Sequence, residues 1–305
     1  MHVAGSAGAL FVLAASVLWG TTGTAATFAP GVGPLAIGSF AMGVGGMLQA
    51  AVAARSLAAH AAVLWRMRWT VAIGAVAVAT YPLAFYSSMR LAGVAVGTIV
   101  SIGSAPIASA VIERVVDKTP LRWRWGIGTA IGCAGALLLC VTRGGSPGDA
   151  PMLGVVLGVV AGITYAAYSF AATRLMRGGA ARAAAMGSTF GLGGVLLIPV
   201  MLATGAPILD SPGTLAVSAY MALIPMFAGY VLFGAGLWRV TSSTATTLSL
   251  AEPVVAAILA VLIVGESLPA LGWVGMALIG VSILVLVMPA RVARSAAHDL
   301  ERAWS

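Results

Sequence analysis

The sequence predicts an all-α polytopic membrane protein of ten transmembrane helices, arranged as two inverted five-helix repeats. Three observations predict it. Hydrophobic residues make up 60% of the 305 residues and charged residues only 8%, with a mean hydropathy of +1.04; soluble domains carry about 25% charge. The apolar residues fall into runs of membrane-spanning length, about 20 residues each. The second half of the chain repeats the pattern of the first. So few charges exclude a cytosolic globular enzyme, a disordered chain and a disulfide-stapled secreted domain.

The runs lie at 7–28, 34–54, 69–90, 94–113, 123–142, 152–174, 183–204, 213–237, 241–264 and 270–289. Turn-forming residues separate them: Pro30 to Pro34 between spans 1 and 2, Gly144 to Gly148 between spans 5 and 6, Asp210 to Gly213 between spans 7 and 8. Backbone in lipid must satisfy its own hydrogen bonds, and runs of this length without strand alternation do so as helices. The first run has only His2 before it and no basic leader, so it reads as a span rather than a cleavable signal.

The net charge of +8 records orientation rather than affinity for nucleic acid, because basic residues collect on the cytoplasmic side. With the N-terminus inside, the inner connections hold Arg55, Arg66, Arg68, Arg114, Lys118, Arg122, Arg124, Arg174, Arg177, Arg182 and Arg239, and the tail holds Arg291, Arg294 and Arg302. Only Arg90 and Arg143 fall outside. Both termini are therefore expected in the cytoplasm. Cys133 and Cys140 lie seven residues apart on one span, about 10 Å of rise, too far for a disulfide. His2, His60 and His298 sit in tails or a connection, and no metal spacing is present.

Internal similarity fixes the halves. Ala15 to Gly20 in span 1 corresponds to Ala161 to Ala166 in span 6, and Ala105 to Ala110 in span 4 corresponds to Glu252 to Ala257 in span 9. Five spans per half is odd, so the halves sit upside down to each other. The divisions are 1–146, 147–290 and a cytoplasmic tail 291–305. Inverted repeats are a common plan of secondary transporters, with substrate bound near the midplane.

Most acids are placed by elimination. Asp299 and Glu301 are in the tail, Asp149, Asp210 and Glu266 in outer connections, and Glu113 and Asp117 at the inner end of span 4. Glu252 alone lies near the midplane. A charge there costs about 2.5–3.5 kcal/mol on insertion scales and faces the bundle interior or water. It reads either as a proton-coupling or amine-binding carboxylate, or as a structural acid bonded to backbone freed by Pro253. Pro106 and Pro253, at matching places, each remove a helix hydrogen bond and favour a bend. The bends act as hinges or shape the bundle.

Aromatic residues mark a candidate pocket: Trp19 in span 1, Tyr81 and Phe85 on one face of span 3, Tyr165 and Tyr168 on one face of span 6, and Tyr230 in span 8. Phenol hydroxyls at lipid depth need partners and so turn inward. Together these rings suit an amino-acid side chain or, by cation–π contact, an organic cation. Trp65, Trp69, Trp123 and Trp125 read as an inner-boundary belt. Gly154, Gly158 and Gly162 on span 6, with Gly128 and Gly132 on span 5, read as close-packing stripes. Leu300 and Trp304 suit a tail lying along the membrane surface.

The segment Ser249 to Ile258, followed by Gly265-Glu266-Ser267-Leu268, Trp273-Val274-Gly275 and Ala277 to Val281, resembles the C-terminal signature of EamA-type proteins in the drug/metabolite transporter superfamily. A weaker copy runs from Ser104-Ala105-Pro106 through Asp117 to Leu121 and Trp125-Gly126, and Trp19-Gly20 sits where that family often has Trp-Gly. The resemblance covers essentially the whole chain and implies export of small metabolites, often amino acids, or of drugs. Ala105 stands where the second copy has Glu252, so the first half departs from a pattern of paired acids.

The leading expectation is a secondary transporter that exports amino acids, aromatic or hydrophobic ones included, by alternating access, with a small-molecule substrate and the lipid bilayer as its partners. A multidrug, aromatic-cation or nucleoside exporter of the same superfamily is the alternative. Small four-helix members of the superfamily carry a carboxylate on their first span, and span 1 here has none. An enzyme would need a catalytic cluster, and one midplane acid with no histidine does not make one. A channel would need a ring of like residues. No nucleotide-binding loop or cofactor fingerprint is present, so the energy comes from a gradient or from the substrate. A single lysine, Lys118, amid abundant Ala and Gly matches a GC-rich bacterial genome and hence the bacterial inner membrane.

Overall fold

The computed structural model describes residues 2–118, 120, 123–142, 150–264 and 268–288. They are helical, with ten long segments: α1 (His2–Ala26), α2 (Pro34–Val52), α3 (Arg68–Ala92), α4 (Val94–Val116), α5 (Trp123–Val141), α6 (Pro151–Arg177) and α7 (Arg182–Thr204), then α8 (Pro212–Leu237), α9 (Ser242–Ile263) and α10 (Ala270–Val287). Nine are long and apolar enough to cross a bilayer, and α5, with 19 residues, matches α2 in length. The expectations at Arg143, at 144–149, at Gly265-Glu266-Ser267, at Arg122 and in the tail 291–305 lie outside the described residues, as does the side chain of Cys140. Cys133 is a free thiol.

Helix starts follow local chemistry. Proline occupies the first turn of α2, α6 and α8, where its missing N–H costs nothing. Ser211 and Thr214 form a reciprocal cap at the start of α8. The connection between α2 and α3, read from the sequence as a loop, holds two short helices, Ala54–Ala59 and Ala61–Arg66. Its alanines have the highest helix propensity of any residue, which the arginines and histidine obscured.

The helix packing has the symmetry of a duplication. Counterparts α2 and α7 pair with each other, and so do α5 and α10. Further pairs cross between halves: α1 packs on α8 and α9, and α6 packs on the equivalent α3 and α4. Glycines permit these approaches. A Cβ on Gly154 would lie 2.5 Å from the Ala92 amide, one on Gly132 2.7 Å from Ser282 Oγ, and one on Gly20 2.6 Å from Val255 Cβ. The outward faces carry apolar residues such as Leu10, Val115, Leu202 and Leu262, all at least two-thirds exposed, as lipid contact requires. Trp65, Trp69 and Trp123 are exposed, with the Arg68 guanidinium 5.5 Å from the Trp65 ring, whereas Trp125 is half-buried.

The basic connections gather at one end. Arg174 and Arg177 pair with Asp117 at 2.9 and 3.1 Å. Arg66 donates to the Gly178 carbonyl, and Arg124 donates to the carbonyls of Val285 and Met288.

Candidate functional site

The crossed pairing brings α1, α3, α6, α8 and α9 together around the centre. α1 contributes Trp19, which is 5% exposed. Its indole N–H donates to the Pro225 carbonyl of α8 at 3.0 Å. That carbonyl is available because α8 widens into a π-helical turn over Ala222–Ala228, in which Gly229 N–H bonds Ile224 O, five residues back, instead of Pro225. Gly229 has no side chain to block the indole: a Cβ there would lie 2.8 Å from its nitrogen.

The tyrosines of α6 are tied down. Tyr165 hydroxyl donates to Ser249 Oγ of α9 at 2.9 Å, and the hydroxyls of Tyr168 and Tyr230 share a 2.9 Å bond. The rings form one contiguous cluster. Trp19 meets Tyr230 at 4.8 Å between centroids, Tyr81 meets Tyr165 at 5.6 Å and Phe85 at 5.6 Å, and Tyr165 stacks on Tyr168 at 5.2 Å. Phe190 and Phe233 extend it.

Glu252 faces this cluster from α9. It follows a tight 3-10 turn, Ser249–Ala251, and opens a fresh helical segment with Pro253 in its first turn. A cavity of about 30 Å³ lies against Glu252, Trp19, Thr22, Tyr81, Phe85, Tyr86, Tyr165 and Tyr230, with Gly38, Ala41, Met42, Pro82 and Met226 completing its wall. Among the described residues Glu252 is the only charged side chain in that wall. Among the described residues nothing hydrogen-bonds its carboxyl group or the hydroxyls of Tyr81 and Tyr86. A space of this size admits water but no amino acid, so the site is contracted in this conformation.

The aromatic cage thus divides by hydrogen bonding. Trp19, Tyr165, Tyr168 and Tyr230 spend their polar atoms on the protein. Glu252, Tyr81 and Tyr86 keep theirs for the cavity. A larger crevice of about 400 Å³ opens between α1, α8 and α9, lined by Thr21, Phe28, Val217, Tyr220 and Ile263 among others. It holds no charged group; its polar feature is the 2.9 Å bond from Tyr220 hydroxyl to Thr21 Oγ1. The chemistry that can recognise a polar ligand lies in the smaller cavity.

The model of the EamA-like transporter family matches the chain twice, over residues 6–141 and 152–288. The chain belongs to the EamA-like transporter family. It is 36% identical over 291 residues to the uncharacterized transporter YwfM of Bacillus subtilis (strain 168), covering 94% of this chain and 96% of that protein. It also shares its fold with a protein of known crystal structure, at a TM-score of 0.76 and 21% identity, over 95% of this chain and 99% of the other. The family is one of transporters rather than of enzymes, and the protein is a multi-pass membrane protein.

Within this EamA-like transporter, five of the six aromatics singled out from the sequence, Trp19, Tyr81, Phe85, Tyr165 and Tyr230, meet Glu252 at the cavity. Tyr168 packs behind them, 1% exposed. Pro106 and Pro253 are buried and lie outside the cavity wall. They differ locally: α4 runs as uninterrupted α-helix through Pro106, whereas Pro253 directly follows the 3-10 turn. Sequence reasoning missed Tyr86. The rule that a phenol at lipid depth turns inward finds Tyr86 as readily as Tyr81. Thr22 bonds its own helix, to the Trp19 carbonyl at 2.7 Å, as hydroxyls in such helices commonly do.

Proposed function

We propose that this EamA-like transporter exports amino acids, aromatic and other hydrophobic ones, across the bacterial inner membrane by alternating access, with both termini in the cytoplasm. The observation that carries the reading is the unpaired Glu252 carboxyl facing two unpaired tyrosine hydroxyls inside an aromatic box. A substrate ammonium meets Glu252, its carboxylate takes the hydroxyls of Tyr81 and Tyr86, and its side chain lies on the rings. Buried charge-assisted hydrogen bonds of this kind are stronger than neutral ones. The contracted cavity supports alternating access, since a metabolite enters only after the helices part. Clustering of Arg66, Arg124, Arg174 and Arg177 at one end supports that end as cytoplasmic.

A second reading, export of aromatic organic cations, is favoured by one specific feature. The cavity wall has an acid and no base, and tyrosine and tryptophan faces attract cations.

Counterflow in proteoliposomes at symmetric pH tests both. The panel holds tryptophan, phenylalanine, methionine, threonine, a purine nucleoside and methyl viologen. Saturable exchange of the amino acids is the expected result. Exchange of methyl viologen alone selects the second reading, and exchange of none by folded protein overturns both.

A further inference from the structure

Between the cavity and the basic end, α4, α6 and α9 pack on one another and bury a seam of hydroxyls. Ser109 of α4, Ser169 of α6 and Ser242 of α9 are each 0% exposed, and their Oγ atoms have no hydrogen-bond partner. The seam begins at the cavity, where Tyr165 donates to Ser249. Ser169 lies one turn beyond Tyr165 on the same face of α6, and Ser109 lies one turn before Glu113 on the same face of α4. At the basic end the seam is shut. Glu113, only 4% exposed, accepts the Ser243 backbone N–H at 3.1 Å and the Ser243 hydroxyl at 2.6 Å. One turn further along α4, Asp117 holds Arg174 and Arg177 of α6. The contacts of Glu113 and Asp117 join the first half of the chain to the second.

We propose that the α4–α6–α9 seam is the closed cytoplasmic access route to the cavity, and that Glu113 held on Ser243 is its lock. The proposal rests on the transporter reading for the direction of movement. A buried hydroxyl without a partner destabilises the state that buries it. Three such hydroxyls favour an open seam in which water reaches them, and the carboxylate bonds at the mouth oppose that opening. Small differences between such opposed terms set the populations of two states. Asp117 and its arginines, at the exposed rim, are screened and add less. Glu113 therefore acts through the position of α9 and has no contact with the cavity.

The experiment reads the opening of the seam without relying on a substrate. In full-length protein carrying Cys133→Ala and Cys140→Ala, a single cysteine is placed by Ser242→Cys or Ser109→Cys. A membrane-impermeant maleimide is applied to the cytoplasmic face of inside-out vesicles. With Glu113 intact, labelling is expected to be slow. Glu113→Ala should speed it about tenfold or more, and Ser243→Ala, which keeps the backbone N–H bond, by a few-fold. A labelling rate that ignores both variants overturns the proposal, as does labelling only from the opposite face. Where Glu113→Ala does not give a monodisperse protein, Ser243→Ala decides. A cysteine pair, Glu113→Cys with Ser243→Cys, adds a second readout: crosslinking should arrest counterflow, and reductant should restore it. Undiminished exchange by crosslinked protein overturns the lock. If labelling behaves as expected but wild-type protein exchanges no compound of the panel, the proposed export of those substrates fails and the gated route stands.

Discussion

Trp19 of α1 and Tyr165 of α6, which occupy matching places in the two repeats, meet edge to face with ring centroids 6.3 Å apart. The duplication thus puts two copies of one position on the same cavity and gives them different anchors. Trp19 bonds a backbone carbonyl of α8 and Tyr165 bonds a hydroxyl of α9. Replacing either by alanine removes a ring from the wall. Trp19→Ala and Tyr165→Ala should each weaken tryptophan and phenylalanine more than threonine in competition counterflow. Equal loss for every substrate means a folding defect instead. Trp19→Phe keeps an aromatic ring, though a smaller one, and leaves the Pro225 carbonyl without its donor, which costs about 1–3 kcal/mol and should appear as a lowered Tm in detergent.

Among the described residues Glu252 is the sole acid of the cavity, and none of them hydrogen-bonds its carboxyl group. Glu252→Gln keeps its shape and removes its ability to carry charge. The variant should lose any pH dependence of exchange and should bind amine-bearing substrates at least tenfold more weakly, about 1.4 kcal/mol. Exchange assayed at equal internal and external pH, stepped from 5.5 to 8.5, checks both; an unchanged profile overturns the coupling role.

Tyr81 and Tyr86 keep free hydroxyls, whereas Tyr168 and Tyr230 spend theirs on each other. Tyr81→Phe and Tyr86→Phe should therefore leave the Tm near the parent value and raise KM about two- to tenfold, the worth of one hydrogen bond. Tyr168→Phe should do the reverse, lowering the Tm with little change in KM. Thermal unfolding and counterflow on the three proteins read the contrast.

Gly38 of α2 faces the Tyr86 ring so closely that a Cβ would lie 2.6 Å from Cδ2. Gly38→Ala must displace that ring into a cavity of about 30 Å³. Substrate affinity should fall several-fold and should recover in the double variant with Tyr86→Ala, where the ring is gone. Failure to recover means that the methyl group acts on helix packing.

The spans were legible because hydrophobic length is a one-dimensional signal, and the structure shifts their ends by only a few residues. The inward turn of Tyr81 and Tyr165 followed from the need of a phenol at lipid depth for a partner, and helical spacing put Phe85 on the face of Tyr81. The role of Pro225 did not. A proline in α8 reads as one more bend, and its worth as an acceptor appears only when α1 lies across it 206 positions away. Glu113 was misleading for a related reason. Its basic neighbours in sequence suggest a solvated helix end, but its partner is Ser243, 130 positions along the chain. Local pattern finds which residues lie at membrane depth; contacts that cross the halves decide what their polar atoms do.

The crossed pairing of α1 with α8 has a consequence for biosynthesis. At about 5–20 residues per second, the 206 positions between Trp19 and Pro225 separate the two by roughly 10–40 s. For that interval α1 is inserted with its glycine-bearing faces and its indole N–H still waiting for partners. The ribosome must deliver most of the second half before α1 can settle, so a helix made long before its partners is among the last to find its place.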